Sequence, residues 1–302
     1  LSIEEISVDS KVEHWAKEFL EDFADKELIK GYSDGSMKPD SYITRAEFVT
    51  LVNRIFNFVE EGDSTFEDVV KDSWYEDSVL KAKAAGYLQG YEDNGKMYVR
   101  PDEHITREDA ATIVARVFKF DTENYDSELS FIDSDEISEY AIENISILSE
   151  KGYIGGYLDE TFKPKNKITR AESIKILSNA TGVLYNKAGN YKDLFVNGNL
   201  IVNTDGIILE NLSIEDDLYL TEGIGDGEVV INNSKISGKV FIDGGGVNSI
   251  YFSNSTAGEV VVSKKDGNVR VVLKDNTKVE NIEMQTDGKM EVTEDSTVKN
   301  VI

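Results

Sequence analysis

The chain has no cysteine, two histidines and only three prolines in 302 residues. Without cysteine there is neither a disulfide framework nor a thiolate metal site. With His14 and His104 alone, a histidine-built metal centre or a His-dependent triad has almost nothing to draw on. The histidines share no acidic partner pattern and read as surface residues. Basic side chains are also in deficit, 32 Lys and Arg against 58 Asp and Glu, for a net charge of −26. That excludes a nucleic-acid binder working through a basic face, because phosphate contacts need clustered cations. No apolar run approaches the ~18–20 residues of a membrane span. No basic-then-apolar leader follows Leu1, so any signal peptide is expected to have been removed. What is present is 40% apolar and 10% aromatic residues, enough for a real core, and a length of about two domains at ~150 residues each.

Average usage of ~5% would give about fifteen prolines, and the three that occur are placed in register. Pro39, Pro101 and Pro164 each precede by six residues an arginine, in Ile43-Thr44-Arg45-Ala46-Glu47, Ile105-Thr106-Arg107-Glu108-Asp109 and Ile168-Thr169-Arg170-Ala171-Glu172. Upstream of each proline stands a Gly-Tyr pair: Gly31-Tyr32, Gly90-Tyr91 and Gly156-Tyr157. Sixteen residues before each of those glycines comes an aromatic: Trp15, Trp74 and Tyr140. Each copy reads as helix, loop, helix. In copy two, Trp74, Val79, Ala82, Ala85 and Leu88 form an apolar helical stripe, and Gly90 stops it. Thr-x-x-Glu opens the second helix as a capping box, with Asp109 a shorter substitute in copy two. The second helices expect to bury Phe48, Val49, Leu51, Val52 and Ile55, and Ala110, Ile113, Val114 and Val117. Faces that broad must pack on one another, which predicts a three-helix core with pseudo-threefold symmetry.

The order of aromatic-headed helix, Gly-Tyr loop, proline and Ile-Thr-Arg-Ala-Glu resembles the S-layer homology family, in three tandem copies over residues 3–183. Phe66-Glu67-Asp68 and Phe131-Ile132-Asp133 resemble that family's opening Phe-x-Asp. Copy one has Ile6-Ser7-Val8-Asp9 there, copy two has a three-residue loop insertion and Glu108-Asp109, and copy three has tyrosine for tryptophan. The resemblance implies a trimeric prism holding the secondary polysaccharide of a Gram-positive-type cell wall. It also implies grooves between repeats in which the motif arginine holds an acidic, often pyruvylated, sugar.

The residues support that expectation independently. Arg45, Arg107 and Arg170 fall at the first helical position behind the N-cap residues Thr44, Thr106 and Thr169. A helix start has free N–H groups and the positive end of the macrodipole, and a guanidinium there meets a carboxylate bidentately. The competing reading is that each arginine only pairs with a nearby acid. The insertion and Glu108 are expected to disturb the groove that uses Arg107. Trp15, Trp74 and Tyr140 either stack on a sugar face or seal the core, and their place at the head of apolar stripes favours the core. Gly31, Gly90 and Gly156 read first as helix terminators, with close approach of a ligand to the backbone second.

After residue 184 proline disappears, thirteen of the 23 glycines occur, and Val, Ile, Asn, Ser and Thr dominate. Asp-Gly pairs at 205–206, 226–227, 243–244, 266–267 and 287–288 alternate with Asn211-Leu212, Asn233-Ser234, Asn254-Ser255, Asn276-Thr277 and Asp295-Ser296. Two alternating turn types about 21 residues apart are the arithmetic of a right-handed parallel β-helix, and an antiparallel sandwich is the competitor. The aspartates of the Asp-Gly pairs would stack in a column, with weak calcium binding the bolder reading and turn chemistry the plainer one. The last apolar run at Val301-Ile302 has no capping element, so a longer protein is expected.

The expected organisation is therefore multidomain: repeats at 3–60, 61–122 and 123–183 in an all-α pseudo-threefold trimer, then an all-β right-handed parallel β-helix at 184–302. The expected function is non-covalent anchoring of a secreted surface or S-layer protein to the wall, with the β-helix as stalk or lattice domain. The expected partners are the wall polysaccharide and further copies in a surface lattice, without nucleic acid, membrane, cofactor or metal. An anchored polysaccharide-active enzyme, or an adhesin, whose active part lies in the coils or beyond residue 302 is the alternative.

Overall fold

The computed structural model describes residues 14–32, 34–63, 65–122, 129–265 and 267–302. The opening motif at Asp9, like Asp266 of the fourth Asp-Gly pair, lies outside the described residues. The chain forms two compact units, residues 1–54 with 60–180, and residues 55–59 with 181–302.

The first unit contains helices α1 (Lys17–Asp25), α2 (Arg45–Phe56), α3 (Glu76–Ala84), α4 (Arg107–Val117), α5 (Ile142–Glu150) and α6 (Arg170–Thr181). Its repeats close on each other through backbone. The N–H of Ile43 donates to Ile168 O (3.2 Å), that of Ile168 to Ile105 O (3.2 Å), and that of Ile105 to Ile43 O (3.1 Å). All three isoleucines are fully buried. The helix starts extend this cycle. Arg45 and Ala46 donate to Glu103 O and Pro101 O, Arg107 and Glu108 to Asn166 O and Pro164 O, and Arg170 and Ala171 to Ser41 O and Pro39 O, all at 2.8–3.1 Å. Each proline thus keeps its register because its carbonyl caps a helix of another repeat.

The aromatic-headed helices are buried one residue out of the expected phase. Ala16, Tyr75 and Ala141 face the core, while Trp15, Trp74 and Tyr140 are 57%, 61% and 47% exposed. The glycines also differ from expectation. Gly86 and Gly152, at φ +83° and +72°, follow helices α3 and α5, and Glu27 takes the left-handed position after α1. Gly90 serves close packing instead: a Cβ there would lie 2.5 Å from Phe66 Cε1 and 2.7 Å from Tyr98 O. At Gly156 the same atom would lie 2.8 Å from Phe131 Cε1, so the phenylalanine of Phe-x-Asp requires that glycine. The aspartates of that motif are pinned too. Asp68 accepts from the N–H groups of Val99 and Arg100 (2.9 and 2.6 Å), and Asp133 from those of Phe162 and Lys163 (2.7 and 2.8 Å). The insertion in copy two forms a hairpin of β1 (Tyr91–Asp93) and β2 (Lys96–Tyr98), turning at Asn94-Gly95 with positive φ at both.

The second unit is a parallel β-solenoid. One sheet stacks Gly189–Lys192, Ile207–Glu210, Val229–Asn232, Ile250–Ser253, Val269–Lys274 and Gly288–Val292. The other carries Val183–Tyr185, Leu200–Val202, Leu218–Leu220, Lys235–Ile242, Thr256–Val262, Lys278–Met284 and Thr297–Val301. Ile207 pairs with Val229, Val229 with Ile250, Ile250 with Val271 and Val271 with Met290, so successive coils are 22, 21, 21 and 19 residues long. Every ladder between coils is parallel, which removes the sandwich. Inward Ile, Val, Leu and Phe252 fill the core.

The Asn-Ser corners carry a hydroxyl ladder. Asn211, Asn233, Asn254 and Asn276 adopt φ of 47–64°, a conformation that asparagine tolerates. The next residue's N–H then donates to a hydroxyl one coil on: Leu212 to Ser234 (3.0 Å), Ser234 to Ser255 (3.1 Å), Ser255 to Thr277 (3.3 Å) and Thr277 to Ser296 (3.1 Å). The Asp-Gly aspartates form no such column. The register sets Asp205 level with Gly227, Asp243 level with Ser263 at the end of the other sheet, and Asp287 level with Asn268. Ser255→Ala would leave the buried Ser234 N–H without its acceptor. The expected cost is about 1–3 kcal/mol, read as a lower urea midpoint of the β-sheet circular dichroism.

Candidate functional site

Cyclic closure lays each motif arginine on the loop tyrosine of the next repeat. The Arg45 guanidinium sits 4.8 Å from the Tyr91 ring centre, Arg107 4.9 Å from Tyr157, and Arg170 5.0 Å from Tyr32. A further cation packs on each of those rings: Arg100 on Tyr91 at 4.8 Å, Lys163 on Tyr157 at 4.4 Å, and Lys38 on Tyr32 at 4.1 Å. These second cations are the residues immediately before the prolines, held at φ of 45–57°. A left-handed non-glycine residue costs roughly 1–2 kcal/mol, and the Asp68 and Asp133 hydrogen bonds offset it in two of the three copies. Sequence reading missed Lys38, Arg100 and Lys163, although a basic residue before each proline was the available signal.

Two of the resulting clefts are lined wholly by described residues. One, of about 250 Å³, is lined by Arg45, Gly90, Tyr91, Asp109, Arg116 and Tyr140, among others. The other, of about 280 Å³, is lined by Arg107, Gly156, Tyr157, Glu172, Lys175 and Trp15. Each draws on all three repeats, the helix-head aromatic coming from the third. The same cyclic rule brings together Arg170, Tyr32 and Glu47, and assigns them Trp74, which heads α3. Ser78, one turn further along α3, is hydrogen-bonded to Thr50 of α2 at 3.0 Å.

The arginines are 6–8% exposed, and their partners differ. Arg45 Nη2 donates to Asp109 Oδ2 at 2.8 Å. Arg107 Nη2 donates to Gly155 O at 2.6 Å, and Arg170 Nε to Met37 O at 3.1 Å with Glu47 3.7 Å from its Nη1. Nε of Arg45 and of Arg107 is buried without an acceptor among the described residues. Pairing with a neighbouring acid is therefore real at Arg45 and looser at Arg170, while Arg107 hydrogen-bonds a carbonyl. Burial draws the Arg107 guanidinium below its ordinary value, so an anion beside it would be favoured. Burial also raises Tyr91, Tyr140 and Tyr157, the last to about 12. They stay protonated and donate to Asp109, Asp109 and Glu172 at 2.8, 2.7 and 2.7 Å.

Three expectations are corrected here. The helix starts offer no free N–H groups, because the first two are capped by another repeat's carbonyls and the third by a threonine hydroxyl. Thr44, Thr106 and Thr169 accept those third bonds at 3.2, 3.3 and 3.1 Å, which commits their hydroxyls to the caps. The departures of copy two lie on the Arg45 groove, not the Arg107 groove, since the Tyr91 hairpin packs under Arg45. Glu108 faces that side also, accepting from Tyr140 OH (3.2 Å), Lys165 Nζ (2.6 Å) and Ser138 N–H (3.0 Å). The histidines are not free surface residues: His14 is bonded to Asp40 at 3.1 Å, and His104 has a buried Nδ1.

Three segments of the chain, residues 9–49, 65–111 and 130–172, match the S-layer homology domain. Relatives include an amylopullulanase of Thermoanaerobacterium thermosulfurigenes, 30% identical over 59% of this chain and 9% of its own length. A cellulosome-anchoring protein of Acetivibrio thermocellus is 32% identical over 50% of the chain and 34% of its own length. The S-layer protein sap of Bacillus anthracis is 26% identical over 56% of the chain and 20% of its own length. The chain thus spans about a third or less of the length of these relatives. No helix among the described residues is long and apolar enough to cross a membrane.

The shift in helix phase is testable by a pair of substitutions. Tyr75→Ala, in the core, is expected to cost about 3–5 kcal/mol, and Trp74→Ala less than about 1 kcal/mol. Thermal melts should separate the two, and equal losses would contradict the observed burial. Gly90→Ala should cost more than Gly86→Ala. Both carry left-handed strain, but a Cβ meets no atom within 4 Å at Gly86.

Proposed function

We propose that this chain, through its three S-layer homology segments, anchors a surface protein non-covalently to the bacterial cell wall by binding an acidic wall polysaccharide. The observation that carries the reading is the threefold recurrence of a tyrosine packed against two cations, one of them a buried arginine, with an exposed aromatic lining the clefts at Arg45 and Arg107. An arginine fork suits a carboxylate, a tryptophan face suits the C–H face of a sugar, and the combination suits an acidic sugar residue. The clefts lie just under the ~300–1,000 Å³ typical of small-molecule pockets, a size for one sugar unit rather than a length of polymer. A pyruvylated sugar fits this chemistry, since its ketal carries one carboxylate beside a ring.

The solenoid reads as a stalk or lattice domain, and copies in a surface layer would give multivalent attachment. Anchoring proteins and S-layer proteins among the relatives support that reading. With a chain charge of −26, long-range attraction of an anionic polymer is unfavourable, so binding must come from local sites repeated on one polymer.

A second reading is favoured by relatives named as an amylopullulanase and, in Acetivibrio thermocellus, an exoglucanase: the anchor of a longer polysaccharide-active enzyme. Release of reducing ends from acidic polysaccharides by this chain would place the activity within it.

Sedimentation with purified cell walls tests the first reading. Arg107→Ala with Arg170→Ala is expected to cut the retained fraction at least tenfold, with melting behaviour showing that the variant is folded. Undiminished retention of the folded double variant would overturn it, as would undiminished binding of the parent to walls stripped of acidic polymer.

A further inference from the structure

The three grooves share one framework but not one charge arrangement, and a single side chain makes the difference. Glu47 and Glu172 reach back to the N–H groups of Thr44 and Thr169, at 2.8 Å each, and so complete their capping boxes. Asp109 is one methylene shorter. Among the described residues no hydrogen bond joins it to the Thr106 N–H. Its carboxylate instead accepts from Arg45 Nη2, Tyr91 OH and Tyr140 OH at 2.8, 2.8 and 2.7 Å. We propose that Asp109 is a built-in ligand of the Arg45 groove, so that an acidic sugar enters at Arg107 and Arg170 and is refused at Arg45. This rests on the reading of the grooves as acidic-sugar sites.

The geometry of the other grooves supports the contrast. Both Glu172 oxygens are used by protein donors, the Thr169 N–H and Tyr157 OH, and among the described residues Glu172 acts on Arg107 by charge alone, without a hydrogen bond between them. The Arg107 fork keeps a buried Nε without an acceptor, and Lys175 lines the same cleft. At Arg170 the ion-pair partner Glu47 stands at 3.7 Å, outside hydrogen-bond range. The Arg45 groove has a second guanidinium, Arg116, as the Arg107 groove has Lys175, but here a carboxylate is bonded directly to the motif arginine. Tyr140 OH lies between Asp109 and Glu108, at 2.7 and 3.2 Å, so an incoming carboxylate would have to settle beside two others. Burial alone would raise the Asp109 carboxyl, yet the Arg45 charge and the hydrogen bonds from Arg45, Tyr140 and Tyr91 hold it below the ordinary carboxylate range. It is ionised at neutral pH, and Arg45 already has the counter-charge that the sugar would bring. Arg45 Nε also lacks an acceptor, but its Nη2 is engaged by Asp109.

Calorimetric titration of the whole chain with acidic oligosaccharide fragments prepared from purified walls reads the number of sites. The expected stoichiometry is two. Asp109→Glu should restore the bond to the Thr106 N–H, release Arg45 and raise the stoichiometry to three, and adding Arg45→Ala should return it to two. Asp109→Asn, isosteric and neutral, should also add a site, because an amide oxygen competes less well than a carboxylate for a guanidinium. Three sites in the parent, or two in folded Asp109→Glu and Asp109→Asn, would overturn the role of Asp109 while leaving the sugar reading intact. No heat of binding with the parent would overturn the sugar reading, and the Asp109 proposal with it.

Discussion

The hydrogen-bonded ring of Ile43, Ile105 and Ile168 is the constraint on which the first unit depends. Each of the three peptides donates to one repeat and accepts from the other, so every repeat completes its two neighbours. The helix starts repeat the arrangement, with six N–H groups satisfied by carbonyls of another repeat. An unsatisfied buried peptide group costs about 1–3 kcal/mol, and withdrawing one repeat would orphan several at once. A single copy would therefore be poorly stable, and its groove would not exist. The ring also fixes rotational phase, which is what lays the arginine of one repeat on the tyrosine of the next.

This closure removes one source of anion affinity and concentrates another. Helix N-termini attract anions through free N–H groups, and here those groups are consumed in assembly. What remains is side-chain charge: an arginine from one repeat, and a lysine or arginine before the next repeat's proline, both against one ring. In a chain of net charge −26, such pairs create small positive sites within a repelling field. Their reach is on the order of the ~8–10 Å screening length at physiological salt. At so short a range, a carboxylate displaced by one methylene changes which anion the arginine holds, and Asp109 against Glu47 and Glu172 is that displacement.

Much of this was legible from residue spacing, and the failures have physical causes. Threefold closure could be read because proline, threonine and arginine recur at fixed offsets, each used by a contact that tolerates little else. The parallel solenoid could be read because two kinds of turn alternate over a nearly constant period. The aromatic heads were misjudged because a helical stripe specifies its face only to within a residue or so, and Tyr75 or Ala16 fits the inward position as well as tryptophan. Gly90 and Gly156 looked like terminators because their real constraint, the ring of Phe66 or Phe131, comes from about 24 residues upstream in sequence. The Asp-Gly column failed for a related reason. Asp243 closes a strand of one sheet and Asp205 opens a strand of the other, a distinction that spacings of 17 to 23 residues blur. The second cations were invisible as a site because nothing in the linear order places Lys163 on the same ring as Arg107.

The solenoid applies the same logic with a different symmetry. Its Ser and Thr hydroxyls accept from the peptide one coil away, as a proline carbonyl accepts from another repeat's helix, so in both units a polar group is completed by the adjoining module. The consequence differs because the operations differ. Three repeats related by rotation close, which fixes the number of interfaces at three and makes those at Arg45 and Arg107 pockets with walls from every repeat. Coils related by translation do not close. Successive interfaces are filled by Val, Ile and Leu, and the clefts described there run along the outer corners of the stack, as beside Asn211, Asn233 and Asn254. A module of the first kind is suited to recognition and one of the second to spanning distance. Sequence change should then be tolerated in different places: on the outward faces of the coils, but not at the arginines, tyrosines and N3 acids where the rotating repeats meet.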